Sequence, residues 1–364
     1  MSRMFIGCMT GTSLDGLDAA LVEIEGRGVE GMSARVVRGV SLPLGEWQGP
    51  LRELADQAPM SAGRIAEVCR GLSLLHTEAI AAVREGASVE AACVHGQTVF
   101  HAPPVSWQLI NAPLIAHTAG VSVVADLRAA DIAVAGQGAP LTPLSDYVMF
   151  RDRERRESRM VVNLGGFANA TVLGAGAGER GFVGRDLCAC NQLLDLVARR
   201  TLGVPFDADG GAALSAEPDD DALDDLLGVL RTQGAAGRSL GTGDEASAWI
   251  GRHWKGGAGA TGPALAAAAC EAIGQVIGDA ARKGEVERVI VAGGGVRNRA
   301  LMKAVAGCAS CRVEESGVHG VPVELREAAG WAVLGALAWD GEVLPLRHIT
   351  GARTDVRAGV VARV

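Results

Sequence analysis

The sequence has 364 residues, of which 48% are hydrophobic and 21% charged. At about 150 residues per domain the length predicts two or three domains, and the balance excludes a disordered chain or a coiled-coil rod. The formal charge of −8 at neutral pH argues against nucleic acid as a partner, so an anionic ligand has to be met locally, by backbone amides, helix N-termini or single arginines.

Glycine is the outlier. Its 50 residues show no collagen period and cluster in short turns between apolar runs, which predicts many backbone-lined loops. With 6 Trp, 6 Phe and 1 Tyr, the core falls to Leu, Val, Ile and Ala. No run of roughly 18 apolar residues stands out and no leader is visible at the N-terminus, so neither a membrane span nor a membrane partner is expected. The eight cysteines are scattered through apolar segments of a chain large enough to fold without staples, the usage of a reduced, cytoplasmic protein. Cys188-x-Cys190 and Cys308-x-x-Cys311 read as buried small hydrophobes, since a structural zinc site wants two well-spaced pairs.

In chain order, residues 4–9 and 18–25 predict two strands joined by a Gly-rich turn, and 34–42 a third. Apolar residues at steps of three and four over 61–85 predict an amphipathic helix. Short strands at 91–94 and 121–125 each run into polar residues, His95-Gly-Gln97-Thr98 and Asp126-Leu-Arg128. The pattern then restarts: strands at 160–164 and 168–173 around Gly165-Gly166, a third at 181–186, and a helix from Asn191 to about Arg200. The acidic run at 218–227 reads as a helix start, because carboxylates favour the positive end of the dipole. A long helix is expected over 261–283, and then strand, Gly293-Gly294-Gly295 and helix over 287–302. The repeat predicts two similar α/β domains with a cleft between them.

The turn at 11–18 carries the first candidate chemistry. Gly11 and Gly16 allow close backbone approach, Thr12 and Ser13 offer amides and hydroxyls to phosphate oxygens, and Leu14 and Leu17 complete the loop. Asp15 and Asp18 suit Mg2+ or a water network. An ordinary hairpin turn accounts for the same residues taken alone, but Gly165-Gly166 holds the equivalent place in the second half. The triple glycine, with Asn298 just inside the following helix, is a third nucleotide loop. No Walker loop and no dinucleotide fingerprint occur.

Together these pieces resemble the phosphate and adenosine loops of the acetate-and-sugar-kinase, chaperone and actin superfamily. GTSLDGLD (11–18), HGQTVFHAP (95–103), VVADLRAADIAVAGQGAPL (123–141), VVNLGGFANAT (161–171) and VAGGGVRNRALM (291–302) are similar to the successive motifs of the anhydro-N-acetylmuramic acid kinase family. The resemblance implies two duplicated RNase-H-like α/β domains flanking an ATP cleft. One holds 1–133 with a returning segment 342–364, the other 134–341. It further implies ATP and Mg2+ as cofactors and a small anhydro amino sugar as substrate, hydrolytically opened and phosphorylated at O6 in cell-wall recycling; it leaves room for a homodimer. The family's FDTGPGN corresponds to GRDLCACN at 184–191, which puts Asp186 on the catalytic aspartate and Asn191 on the asparagine. Cβ atoms thus stand where the family has glycines, and the family's LQIGD is Gln108-Leu-Ile-Asn111 here.

For the sugar, His95, Gln97 and Thr98 supply neutral donors and acceptors, and Arg128 suits the lactyl carboxylate, against the alternative of an ion pair with Asp126. Glu327, in a stretch matching a family helix, completes the set, with a solvated helix carboxylate as the plain alternative. Two other activities fit the same residues: a kinase of the same superfamily with a different acceptor, and a non-catalytic ATP-binding switch.

Overall fold

The computed structural model describes residues 2–11, 14–154, 156–176, 178, 180–235, 244–256 and 260–364. Its strands are β1 (Ser2–Thr10), β2 (Leu17–Glu25), β3 (Ser33–Leu42), β4 (Ala91–Val94), β5 (Gln97–Ala102), β6 (Val105–Leu109), β7 (Val123–Ala125), β8 (Arg159–Leu164), β9 (Phe167–Leu173), β10 (Phe182–Ala189), β11 (Arg288–Ala292), β12 (Arg312–Glu315) and β13 (Val360–Ala362). The helices that matter for the site are α1 (Ala62–Arg84), α2 (Ala112–Ala119), α3 (Thr142–Phe150), α4 (Asn191–Val197), α5 (Asp220–Ala235), α6 (Gly262–Lys283), α7 (Arg299–Cys308) and α8 (Arg326–Trp339).

The chain forms two compact units. The first contains Met1–Arg151, Gly178–Phe182 and His319–Val364, the second Asp152–Ala177 and Val183–Val318. The division thus follows Arg151, not residue 133, and the chain returns to the first unit at His319, not at 342. The reason is packing: α8 lies on β1, β2 and β4, and α3 packs on α8, so both helices belong to the first unit's sheet.

In the first unit the sheet order is β13-β7-β4-β1-β2-β3. β1 pairs antiparallel with β2, β4 runs parallel to β1, and β7 runs parallel to β4. Alternating apolar residues such as Ile6, Cys8, Leu21 and Val94 pack against Leu72 and Ile80 of α1 and Ile115 of α2. On the other face α8 approaches β1 so closely that a Cβ at Gly7 would overlap the carbonyl of Ala328. Only glycine permits that contact.

The second unit repeats the plan: β10-β9-β8-β11-β12, with β8–β9 antiparallel and β8–β11 and β11–β12 parallel. Both units are α/β folds in which an antiparallel hairpin is followed by parallel strands on its first strand's other side. The second core joins Met160, Val162 and Val289 to Leu226, Trp249, Leu265, Ile273 and Leu301. α6, the long helix expected over 261–283, is, among the described residues, long and apolar enough by composition to cross a membrane. Leu265, Ala269, Ile273 and Ile277 bury it in this core.

Candidate functional site

The turn between β1 and β2 is held from behind. Thr10, the last residue of β1 and 1% exposed, donates its hydroxyl to the carbonyl of Gly96 at 3.0 Å. Leu14 takes a positive φ of 59° and is buried; its N–H bonds the Gly11 carbonyl at 3.1 Å and its carbonyl accepts from Gln48 at 2.9 Å. Asp15 is exposed, whereas Asp18, inside β2, is half-buried. Burial pushes the Asp18 carboxyl up from its usual range, partly offset by a hydrogen bond from the Ser41 hydroxyl. Thr12 and Ser13 lie outside the described residues.

Behind that turn, β4 ends in the most developed polar cluster of the first unit. The His95 ring, 5% exposed, donates from Nδ1 to the Gly96 carbonyl at 2.7 Å. Its Nε2 accepts from Arg128 Nη2 at 2.9 Å and Nε at 3.3 Å. The indole of Trp331 on α8 backs the imidazole, centroids 4.4 Å apart and tilted by 45°. Arg128 Nη1 donates to the Gly138 carbonyl at 2.7 Å. Burial lowers the Arg128 guanidinium to about 10, with Glu327 and Asp126 pulling the other way, so it stays charged at neutral pH. Burial, then the Arg128 charge, pushes His95 well below its ordinary value and keeps it neutral.

The alternative ion pair between Asp126 and Arg128 does not form: Asp126, at a φ of 52°, accepts the Ala129 N–H at 3.1 Å instead. Glu327 is the second residue of α8, half-buried and at the favourable end of its dipole. Gln97 is 1% exposed; its amide nitrogen reaches the Thr98 carbonyl at 3.2 Å, while Oε1 finds no partner. Thr98 accepts from Gln108 across the β5–β6 hairpin at 3.4 Å.

The sequence reading missed what supports Arg128. Asp131, 3% exposed, accepts the Gly138 N–H at 2.7 Å and the Thr350 hydroxyl at 2.7 Å, so a residue 219 positions away fixes the loop that carries the Gly138 carbonyl. The signal was present, in that Asp131 and Gly138 stand inside the long motif at 123–141, but its purpose is visible only once the chain has folded back.

In the second unit the β8–β9 turn is Gly165-Gly166, and the start of α4 folds onto it. The Gly165 carbonyl accepts from Asn191 N–H at 3.0 Å, and that of Gly166 from Cys190 N–H at 2.9 Å and Gln192 N–H at 3.2 Å. The Asn191 side chain donates to the Leu164 carbonyl at 3.0 Å, which sets this residue among the phosphate-loop candidates. Gly293, at a φ of 88°, packs so closely that a Cβ would sit 2.6 Å from Asn163 Oδ1 and 2.9 Å from the Leu164 carbonyl. Gly294 is exposed and Gly295 buried against Leu164. Asn298 caps α7, its Oδ1 accepting the Leu301 N–H at 3.0 Å.

Asp186 is expected at a strand end immediately before a helix. The structure corrects this: it is half-buried inside β10, with three further strand residues, Leu187, Cys188 and Ala189, before α4 begins at Asn191. With no glycine to break it, that stretch buries its side chains and the strand runs on. Cys188 and Cys190 are fully buried in the second core, and burial pushes the Cys188 thiol up to about 12. Among the described residues no group of three or more His, Cys, Asp or Glu is placed to hold a metal.

A cavity of about 680 Å³ in the first unit is lined by Trp107, Gln108, Asn111, Asp126, Ile132 and Val360, among others. It takes in Asp126 but not His95, Gln97, Arg128 or Glu327, so it is separate from the cluster those four residues build.

The family model described as anhydro-N-acetylmuramic acid kinase matches residues 3–363. The chain belongs to that family. Proteins named anhydro-N-acetylmuramic acid kinase include one from Bordetella avium, 34% identical over 96% of this chain and 94% of its own length. One from Salinibacter ruber is 33% identical over 98% and 95%. Among solved structures, component A of (R)-2-hydroxyglutaryl-CoA dehydratase from Acidaminococcus fermentans aligns over 92% of this chain and 98% of its own, at 14% identity and a TM-score of 0.45. A ROK family glucokinase from Streptomyces griseus aligns over 91% and 99%, at 16% and 0.39. As a member of the anhydro-N-acetylmuramic acid kinase family the chain is a phosphotransferase with a sugar acceptor. In the first unit His95 and Arg128 are joined by hydrogen bonds, and Thr10, just before the first glycine turn, bonds Gly96 beside them; the second gathers Gly165, Gly166, Asn191 and the triple glycine.

Proposed function

We propose that the protein uses ATP to convert 1,6-anhydro-N-acetylmuramic acid and water into N-acetylmuramic acid 6-phosphate and ADP, a step of cell-wall recycling and amino-sugar catabolism. The observation that carries this reading, beyond family membership, is the matched pair of glycine turns. Gly11–Gly16 and Gly165-Gly166 join the first two strands of two sheets with the same strand order. Each presents backbone at a place where phosphate oxygens can be met by amides.

Asp186 acts as the general base. Water adds to C1 as Asp186 takes its proton, the C1–O6 bond breaks, and O6 attacks the γ-phosphorus with departure of ADP; the proton then passes from Asp186 to solvent. Positioning supplies most of the rate for the transfer. Arg128 receives the lactyl carboxylate, and Glu327, Gln97 and Thr98 orient the sugar. Asn298 and the triple glycine pass the adenosine over bare backbone.

Mg2+ fits as an ion carried on the nucleotide, not one held in a protein cage. Among the described residues of the turn, the exposed Asp15 and the second carboxylate oxygen of Asp18, whose first is committed to Ser41, would hold such an ion. When bound, the ion neutralises charge on the β- and γ-phosphates. The reading places the protein in the cytoplasm, acting on small molecules without nucleic acid or membrane, as a monomer or homodimer.

The deciding experiment incubates the protein with ATP, Mg2+ and the anhydro sugar and weighs the product. One added phosphate and one added water establish the reaction. ATP consumption only with another sugar would move the acceptor, and ATP binding without turnover on any sugar would make the chain a nucleotide switch.

A further inference from the structure

Two arginines of the first unit, the buried Arg326 and the half-buried Arg128, are held in opposite ways. Arg326 is neutralised: its guanidinium meets both carboxylate oxygens of Asp146, and the two side chains are 2% and 1% exposed. Arg128 is held by neutral acceptors alone, His95 Nε2 and the Gly138 carbonyl. The charges of Glu327 and Asp126 act on it as well, favouring the protonated guanidinium. Of its five N–H groups three are used, which leaves one on each terminal nitrogen.

The protonation state of His95 follows from its neighbours. The Gly96 carbonyl can only accept, so Nδ1 carries the hydrogen; Arg128 can only donate, so Nε2 carries a lone pair. The same carbonyl accepts the hydroxyl of Thr10 at 3.0 Å, immediately before the first glycine turn. One backbone oxygen therefore ties the tautomer of His95 to the base of the proposed phosphate loop.

We propose that His95 is a positioning residue that holds the Arg128 guanidinium edge-on through a neutral acceptor, so that the pair selects acceptors bearing a carboxylate over neutral anhydro sugars. An arginine already paired with a carboxylate has little left for a ligand, whereas one fixed by neutral acceptors keeps both orientation and charge. This rests on the reading that Arg128 meets the lactyl carboxylate.

Equilibrium binding of 1,6-anhydro-N-acetylmuramic acid and of the neutral 1,6-anhydro-N-acetylglucosamine tests both. His95→Phe keeps a ring on Trp331 but removes the acceptor; it should weaken the acid by about tenfold and the neutral sugar by less than about twofold. His95→Gln restores an acceptor and should recover most of the loss, and on an Arg128→Gln background His95→Phe should add nothing. Equal weakening of both sugars, or no rescue by Gln, overturns the proposal. If Arg128→Gln itself leaves the preference for the acid unchanged, the lactyl-carboxylate reading fails instead. Nitrogen NMR of the wild-type imidazole is independent of any variant: Nε2 should be unprotonated and Nδ1 protonated at pH 7, and the reverse tautomer overturns the proposal.

Discussion

Asp146 on α3 and Arg326 at the start of α8 are 180 positions apart in sequence and form a two-point ion pair that water does not reach. The pair clamps α3 to α8 one residue before Glu327. Breaking it from one side leaves a buried charge, so Asp146→Ala should cost about 3–5 kcal/mol. Replacing both partners by Met and Leu should recover most of that. Urea unfolding followed through Trp331 fluorescence reads the difference; a single variant as stable as wild type would show that the pair is not a clamp.

The glycines of the second unit should divide by role. At Gly166 an added Cβ meets only the flexible Gln192 side chain, at 3.2 Å or more. Gly166→Val should therefore fold while losing about tenfold or more in ATP affinity through blocked backbone approach. Gly293→Ala forces a Cβ onto Asn163 and the Leu164 carbonyl at a φ of 88°, and should lower stability by about 1–3 kcal/mol before any binding is measured. Unchanged ATP affinity in folded Gly166→Val would remove the phosphate-loop assignment.

Acid should weaken the first unit through its buried imidazoles. Burial lowers His76 from 6.5 to about 4, its Nδ1 donating to the Leu72 carbonyl, and holds His95 well below its usual value. The unfolded chain binds the His76 proton below about pH 6.5, the folded chain only near or below 4. The stabilisation is thus complete above pH 6.5 and declines as pH falls toward 4, by about 3 kcal/mol for His76. His76→Gln should show a shallower loss than wild type across that window in denaturant titrations; parallel curves would exclude the effect.

Asp186→Asn keeps size but removes the proton acceptor. Turnover should fall by about 10²-fold or more, with ATP affinity nearly unchanged. In wild type, oxygen from labelled water should appear at C1 and phosphate at O6. Retention of half the activity, with chemistry rate-limiting, would make another group the base.

The buried thiols should resist reaction. Cys188 and Cys190 are inaccessible, and burial pushes Cys188 up to about 12 and Cys190 well above its usual value. Alkylation at pH 8 should leave both untouched until denaturant is added. Mass spectrometry showing either modified in the folded protein would contradict the core placement.

What was legible in the sequence was local. Four apolar residues between polar flanks set β4 at 91–94, and the three-four spacing of Ile65, Val68, Leu72 and Leu75 set α1. The duplication followed from the two glycine hairpins. The β5–β6 hairpin was hidden because His95–Ala102 reads as a polar cluster and its burial alternates for only three residues. The Asp146–Arg326 and Asp131–Thr350 contacts join residues 180 and 219 positions apart, and nothing in either neighbourhood names its partner. Asp186 was placed at a strand end because the strand was read as 181–186; buried Leu187 and Cys188 extend it instead.

The returning C-terminal segment also bears on how the chain is made. The first unit's sheet is covered on one face by α8 and extended by β13, and both are synthesised after the whole second unit. From Arg151 to Trp339 a ribosome spends on the order of 10–40 s. Throughout that interval the α8 face of β1, β2 and β4 is open, while the second unit, nearly continuous in sequence, is free to close. Maturation therefore runs inward-out: the inserted half first, the half that starts the chain last, with an uncovered apolar sheet that a nascent-chain chaperone is suited to shield.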